Sequence, residues 1–284
     1  MSNNTKIEKK VDNKVEQTTT SIRNNSKVIL KKDSDFAIVE SYKSARTNIE
    51  YALNAEEGCK KIIFTSAMPS EGKSTSCINL AITFALTGER VLLIDGDLRK
   101  PKIHKNLNLE NKTGFSNYLA GFASLDEIIQ HDKDHGFDVI SSGQIPPNPS
   151  ELLSSAKMKS AMEELSQKYD YIFVDAPPVN IVSDAVSMSK FVTGVVVIVK
   201  ENFTTHDALK KCISSLEFAS ARILGFMLNG VVASEGYYSK YYKYKYKYKY
   251  GYKYGYGSKG YGYGGYKYAY KYAEATKNAE EDKK

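Results

Sequence analysis

A chain of 284 residues is long enough for one sizeable α/β domain with tails, and its 40 Lys and Arg against 33 Asp and Glu leave a moderate net +7, most of it near the C-terminus. Cys59, Cys77 and Cys212 have no metal-ligand spacing and read as reduced core thiols. The longest apolar stretches, such as Val195 to Val199, are far too short to span a bilayer, and the polar N-terminus lacks a signal-peptide core. The expectation is a soluble cytoplasmic protein whose membrane role, if any, comes through a partner.

Residues 1–34 are rich in Asn, Lys, Thr and Ser without apolar periodicity, so they read as a disordered leader. Phe36 to Leu53 then carries Tyr42, Ala45, Ile49, Ala52 and Leu53 at helical spacing. Glu40, Lys43 and Arg46 line another face, a pattern that on its own describes a solvated helix surface.

The apolar run Ile62 to Phe64, the loop Ala67 to Thr75 and the amphipathic stretch Cys77 to Ala85 form strand, turn and helix. That is the context a phosphate-binding loop needs. Backbone N–H groups of Met68, Pro69 to Thr75 would wrap the phosphates at the positive end of the new helix, Pro69 lending shape but no donor. Along Ser70, Glu71 and Gly72, the glycine permits close approach. Lys73 would reach the β and γ oxygens of ATP, and Ser74 would ligate Mg²⁺. Ala67 stands where the common pattern has its first glycine.

Val91 to Ile94 reads as a buried strand ending in Asp95-Gly96-Asp97-Leu98-Arg99. Residues at the carboxyl ends of parallel strands face the ligand crevice, and carboxylates beside phosphates need a cation or a proton to accept. His104 to Asp134 reads as short helices and loops, with His131 and His135 in a solvated polar turn. Phe137 to Ile140 is a strand, Ser141 to Pro149 a rigid loop, and helices follow from Ser150 and over Lys157 to Lys168.

Tyr171 to Val174 is a strand ending in Asp175-Ala176-Pro177-Pro178, a Walker B arrangement that holds Mg²⁺ directly or through water. Strands at Val195 to Val199 and Ile223 to Leu228, with a helix bearing Ala208, Leu209, Cys212, Ile213 and Leu216 between them, complete an alternating β/α domain over residues 35–236.

Residues 237–272 are Tyr, Lys and Gly with a few Ser and Ala, and read as a flexible polymer. The segment holds nine lysines and seventeen tyrosines: Tyr237, Tyr238, Tyr241, Tyr242, Tyr244, Tyr246, Tyr248, Tyr250, Tyr252, Tyr254, Tyr256, Tyr261, Tyr263, Tyr266, Tyr268, Tyr270 and Tyr272. Residues 273–284 form a charged end. Water as acceptor would make the site an ATPase switch, and a protein hydroxyl would make it a kinase. Tethered phenols at high effective concentration favour the kinase. Interleaved Tyr and Lys would also suit a single-stranded nucleic acid or anionic polymer, but a tail beside a site that can modify it gives no reason to expect nucleic acid.

Five segments together resemble the bacterial tyrosine kinases of capsular and exopolysaccharide operons, in the form whose transmembrane activator is a separate protein. They are T-S-A-M-P-S-E-G-K-S-T at Thr65 to Thr75, L-L-I-D-G-D-L-R-K-P at Leu92 to Pro101, G-F-S-N-Y-L at Gly114 to Leu119, P-P-N-P-S-E-L-L at Pro146 to Leu153, and F-V-D-A-P-P at Phe173 to Pro178. The resemblance implies an α/β P-loop NTPase with a mostly parallel sheet flanked by helices, related to the MinD and ParA type, with disordered tails. It implies a non-specific protein-tyrosine kinase that uses ATP and Mg²⁺, autophosphorylates its tail in trans and regulates polysaccharide synthesis and export.

By that resemblance Thr75 adds a phosphate contact, Asp97 and Asp175 organise Mg²⁺, Asp95 is the general base and Arg99 a charge stabiliser. Glu40, Lys43 and Arg46 correspond to a helix E-x-x-R-x-x-R that joins subunits into a ring, an octamer in the family. Lys43 departs from that motif, and Ser70 stands where the family usually has glycine. Implied partners are the cytosolic segment of a transmembrane polysaccharide co-polymerase, which recruits the kinase to the inner face of the membrane, a cognate tyrosine phosphatase, and polysaccharide-biosynthesis enzymes as substrates. The rival partition ATPases carry a signature lysine where Met68 stands.

Overall fold

Each short apolar run bounded by turn signals becomes a strand of one sheet. In chain order these are β1 (Lys60–Ser66), β2 (Val91–Asp95), β3 (Ile129–Asp132), β4 (Phe137–Ile140), β5 (Tyr171–Asp175), β6 (Gly194–Lys200) and β7 (Ile223–Asn229). They lie side by side as β3-β4-β2-β5-β1-β6-β7. Every neighbouring pair is parallel except β3 with β4. The computed structural model describes residues 29–31 and 33–231. Of the leader expected over residues 1–34, the first 28 residues lie outside the described residues, as do the tyrosine-rich tail and the charged end, while Leu30 near its close is buried and donates its N–H to Asn79 Oδ1 at 2.9 Å.

Nine α-helices occur among the described residues, α1 (Phe36–Ala52), α2 (Lys73–Ala85), α3 (Ile103–Asn106), α4 (Phe115–Ala120), α5 (Leu125–Ile128), α6 (Pro149–Leu153), α7 (Ala156–Leu165), α8 (Asp184–Met188) and α9 (His206–Phe218), with a 3-10 turn at Ser189–Phe191. None of them is long and apolar enough to cross a membrane.

Strands β2 and β5 are buried along their whole length, so both sides of each must be apolar and no alternation shows in the sequence. The pleat still sorts their side chains. Ile62, Phe64, Leu93, Phe173 and Ile198 face one layer with Cys77, Leu80 and Phe84 of α2 and Tyr42 and Ile49 of α1. Ile63, Leu92, Ile94, Ile172, Val174 and Val197 face the other, against Phe115, Met158, Leu165 and Leu216. Phe64 and Phe84 each meet Phe173 edge to face, with centroids 5.1 and 5.2 Å apart, a geometry that adds to burial.

Helix α1 begins at Asp35, whose carboxylate accepts the Ala37 N–H at 2.8 Å. Arg46 crosses from it to donate to the Thr83 carbonyl of α2 at 2.6 Å. Proline at the first helical position starts α6 at Pro149, one residue before the expected start.

One expectation fails in the stretch His104 to Asp134. Its last residues are a strand, β3, paired in a hairpin with β4. His131 and His135 therefore share no helix face: His131 Nδ1 meets Asp138 Oδ1 across the hairpin, and His135 Nδ1 meets Asp132 Oδ2, both at 2.7 Å. The run I-Q-H-D has too little apolar content to announce an edge strand, and the pairing that makes it one is tertiary. Cys77 and Cys212 are buried as expected, and burial raises the Cys212 thiol to about 12 and the half-buried Cys59 to about 11. Neither is a thiolate near neutrality.

Candidate active site

Parallel pairing brings the carboxyl ends of β1, β2 and β5 together. Asp95 and Asp175 are register partners at the ends of β2 and β5, and Phe64 of β1 pairs with Asp175 from the other side. The loop after β1 runs into α2, so Lys73 and Ser74 open that helix directly above both aspartates.

The loop holds its shape through contacts that the sequence does not announce. Glu71 is wholly buried. Its Oε2 accepts the Met68 N–H at 2.9 Å, and its Oε1 accepts the Thr204 hydroxyl in a short hydrogen bond. Asn229, at the end of β7, donates to the Glu71 carbonyl at 2.8 Å, and Lys200 Nζ reaches the Ser70 carbonyl at 3.4 Å. Gly72 has φ +90°, and a Cβ there would lie 2.0 Å from Asn229 Nδ2. Ser70 adopts φ +68°, left-handed backbone that suits glycine. Met68, Gly72 and Thr75 are half-buried, Pro69 and Ser70 exposed, and Ala67 is buried.

Lys73 Nζ lies 3.2 Å from Asp175 Oδ1, 3.3 Å from Asp97 Oδ2 and 3.4 Å from Ser74 Oγ. Burial works to lower its pKa, but Asp175, Asp97 and Asp95 outweigh it and leave the ammonium more strongly protonated than usual. Asp175 is raised by burial, against the lowering effect of Lys73. Its other oxygen, Oδ2, is buried without a hydrogen-bond partner. An orphan carboxylate oxygen beside a serine hydroxyl and a second carboxylate is an all-oxygen donor set of the kind hard divalent cations take.

Asp95 is also wholly buried. Its Oδ2 accepts the N–H groups of Lys102 and Ile103 at 3.1 and 3.0 Å, and its Oδ1 the Asp97 N–H at 3.3 Å. Burial and then the Asp175 charge raise its pKa to about 7, where a carboxylate can exchange a proton under neutral conditions. Arg99 turns away from the phosphate loop toward Asp184, the first residue of α8. Glu40, Lys43 and Arg46 lie along α1: Lys43 Nζ meets Glu40 at 2.8 Å, and Arg46 Nε stands 3.4 Å from Glu50.

Asp184 with Ser150, which hydrogen-bonds to both Asp184 and Arg99, and Glu71 with Thr204 and Asn229 are thus two supports of the site that sequence reasoning did not assemble, Glu71 having been read only as part of the phosphate loop. Asn229 alone carried a usable signal, a polar residue ending an apolar strand.

Residues 59–222 match the AAA domain family. Tyrosine-protein kinase YwqD of Bacillus subtilis (strain 168) is 39% identical over 203 residues, 70% of this chain and 85% of the relative. Tyrosine-protein kinase etk of Escherichia coli (strain K12) is 37% identical over 194 residues, 68% of this chain but 27% of that longer protein. Among solved structures, the chimerical protein CapA2B2 superposes with a TM-score of 0.68 at 35% identity, over 73% of this chain and 90% of that one. The kinase domain of the Escherichia coli tyrosine kinase ETK gives 0.66 at 34%, over 79% and 80%. The septum site-determining protein MinD from Pyrococcus horikoshii OT3, in complex with Mg-ADP, shares the fold, with a TM-score of 0.53 at 24% identity over 62% and 72%.

The sheet, the phosphate loop and the aspartates beyond it define the P-loop NTPase fold, which the MinD structure shares. Within that class the chain belongs to the bacterial tyrosine-protein kinases of capsule and exopolysaccharide operons. Its activity is phosphoryl transfer to protein tyrosine.

Proposed function

We propose that this kinase transfers the γ-phosphoryl group of ATP to the tyrosines of residues 237–272 in a neighbouring copy, and through that cycle regulates capsular or exopolysaccharide synthesis and export. The observation that carries the reading is the Lys73 ammonium held between Asp97 and Asp175, with Asp175 Oδ2 unsatisfied beside it. Carboxylates so placed call for cationic charge, and a divalent metal bound with the nucleotide would supply it in a form that can be exchanged.

Ser74, Asp97 and Asp175 would hold Mg²⁺, which when bound neutralises charge on the β and γ oxygens. The N–H groups of the phosphate loop and of Thr75 orient the phosphates, and Lys73 leaves the aspartates to follow the transferring oxygens. Asp95, poised near neutral pH, takes the phenolic proton. Arg99 adds positive charge on the acceptor side if it parts from Asp184.

Glu40, Lys43 and Arg46 of α1 would join subunits into a ring, supported by their match to the family helix. The cytosolic segment of a transmembrane co-polymerase would activate the kinase and bring it to the membrane, a phosphatase would reverse the reaction, and polysaccharide-biosynthesis enzymes would be further substrates. Each phosphotyrosine adds about −1.5 to −2 charge, so about five would cancel the nine tail lysines. That change would release the tail from a neighbour's site and the ring with it.

The test is incubation with γ-labelled ATP, Mg²⁺ and the activator segment, followed by phosphoamino-acid analysis. Phosphotyrosine in residues 237–272 is expected, absent with Lys73→Met and after deletion from Tyr237 onward. Release of inorganic phosphate with an unlabelled tail would overturn the reading.

A further inference from the structure

Five tyrosines lie outside the tail, and four of them, Tyr42, Tyr118, Tyr169 and Tyr171, are buried, none more than 9% exposed. Tyr169 is further engaged, donating to Asp138 Oδ2 at 2.7 Å. Tyr51 is different: it is 74% exposed. It stands in the last turn of α1 on the side away from Tyr42 and Ile49.

The fold also settles which active site could reach it. Arg222, just before β7, donates to the Ala52 carbonyl at 3.2 Å and pairs with Glu56, which fastens the end of α1 at the end of the sheet where the parallel strands begin. The phosphate loop lies at the other end, where they finish. Seven residues of β1 at roughly 3.3 Å each separate the two by about 23 Å, beyond the reach of one side chain.

We propose that Tyr51 is a second phosphoacceptor of this kinase, modified by another copy of the chain. The inference rests on the tyrosine-kinase activity and is independent of whether the tail is a substrate. The Tyr51 phenolic oxygen forms a bond to the γ-phosphorus of ATP in the donor copy, and the bond from that phosphorus to the β–γ bridging oxygen breaks. ADP leaves, and the phenolic proton passes to the donor's base.

The new group would sit badly with its surroundings. Glu50 precedes it, Glu56 and Glu57 follow five and six residues on, no basic residue occupies the last turn of α1, the helix carboxyl end is itself negative, and a phosphate here would compete for Arg222, the cation that holds the Ala52 carbonyl and Glu56. Leu53 and Ile49 are buried just behind it. Modification therefore loosens the end of α1 against the core, on the same helix whose charged face is proposed to join subunits.

Tyrosine-phosphorylated full-length protein, made with ATP, Mg²⁺ and the activator segment, is digested with trypsin. Cleavage after Arg46 and Lys60 yields residues 47–60, in which Tyr51 is the sole tyrosine. The expected result is phosphate on that peptide, its loss in Tyr51→Phe with tail labelling kept, and a labelling rate that doubles when a ¹⁵N-labelled Lys73→Met acceptor is doubled. Phosphate on the tail with residues 47–60 unmodified overturns this proposal and leaves the tail reading standing. An unlabelled chain overturns both.

Discussion

Arg99 and Asp184, 85 residues apart, form a two-pronged ion pair, with Nε 2.9 Å from Oδ2 and Nη2 3.2 Å from Oδ1. Asp184 is wholly buried. Ser150 joins them, donating to Asp184 Oδ1 at 2.6 Å and accepting from Arg99 Nη2 at 3.0 Å. One cluster thereby fastens the loop after β2, the first turn of α6 and the start of α8, and it anchors the loop that carries Asp97.

Breaking this pair from the Arg99 side leaves a buried carboxylate with only Ser150. Arg99→Ala is expected to destabilise the domain by about 2 kcal/mol, below the cost of a fully buried pair because water reaches the arginine. Asp184→Asn should cost a similar amount, and the double variant less than the sum. Urea midpoints of the four proteins measure this, and strict additivity would show that the two side chains act independently.

Lys73→Met removes the counter-charge of three buried carboxylates and the phosphate contact proposed for this ammonium. Labelling of tyrosine should fall by about 10²-fold or more. Without the ammonium, Asp95 and Asp175 hold protons in the folded state to higher pH than in the unfolded chain. Groups raised in this way cost stability as pH rises above the ordinary carboxylate range. The variant should therefore lose more stability between pH 5 and pH 8, a window around the value of about 7 to which Asp95 is already raised, than the wild type does. Equal losses by urea unfolding at the two values would contradict the charge balance drawn around Lys73.

Asp95, raised to about 7 chiefly by burial, should also shape the rate. If it accepts the phenolic proton, kcat/KM for tyrosine phosphorylation climbs with pH up to that value and levels above it. Asp95→Asn should lower the rate by about 10² to 10⁴ and abolish the limb. A variant that retained the limb would assign the proton to another group.

The phosphate loop offers paired tests of backbone conformation. Ser70→Gly relieves a left-handed residue at φ +68° and should stabilise by about 1 kcal/mol, a rise in Tm of about 2–4 °C. Gly72→Ala should do the reverse and weaken ATP binding, since its Cβ would meet Asn229 Nδ2 at 2.0 Å. Calorimetric scans and nucleotide titrations of both variants decide the matter, and a neutral Gly72→Ala would show that Asn229 can move aside.

The sequence by itself determined the parts that are chemically local. Runs of β-branched and aliphatic residues made strands between turn signals, and G-K-S-T after such a run marked the start of a helix in the context of a phosphate-binding loop. Ser70 was already visible as a departure from the family glycine, although the positive φ that explains the preference is a property of the folded loop.

What only the tertiary structure decided are relationships between segments far apart in the chain. Strand register set Asp95 beside Asp175, the buried network chose Asp184 as the partner of Arg99, and hairpin pairing turned I-Q-H-D into an edge strand. Tyr51 and Tyr171 are the same residue type in the sequence, yet one faces water and the other packs against Phe84 and Phe173. The physical reason is common to all of these: burial and charge pairing depend on which surfaces the sheet brings into contact, and that choice minimises the free energy of the whole domain and of no single segment.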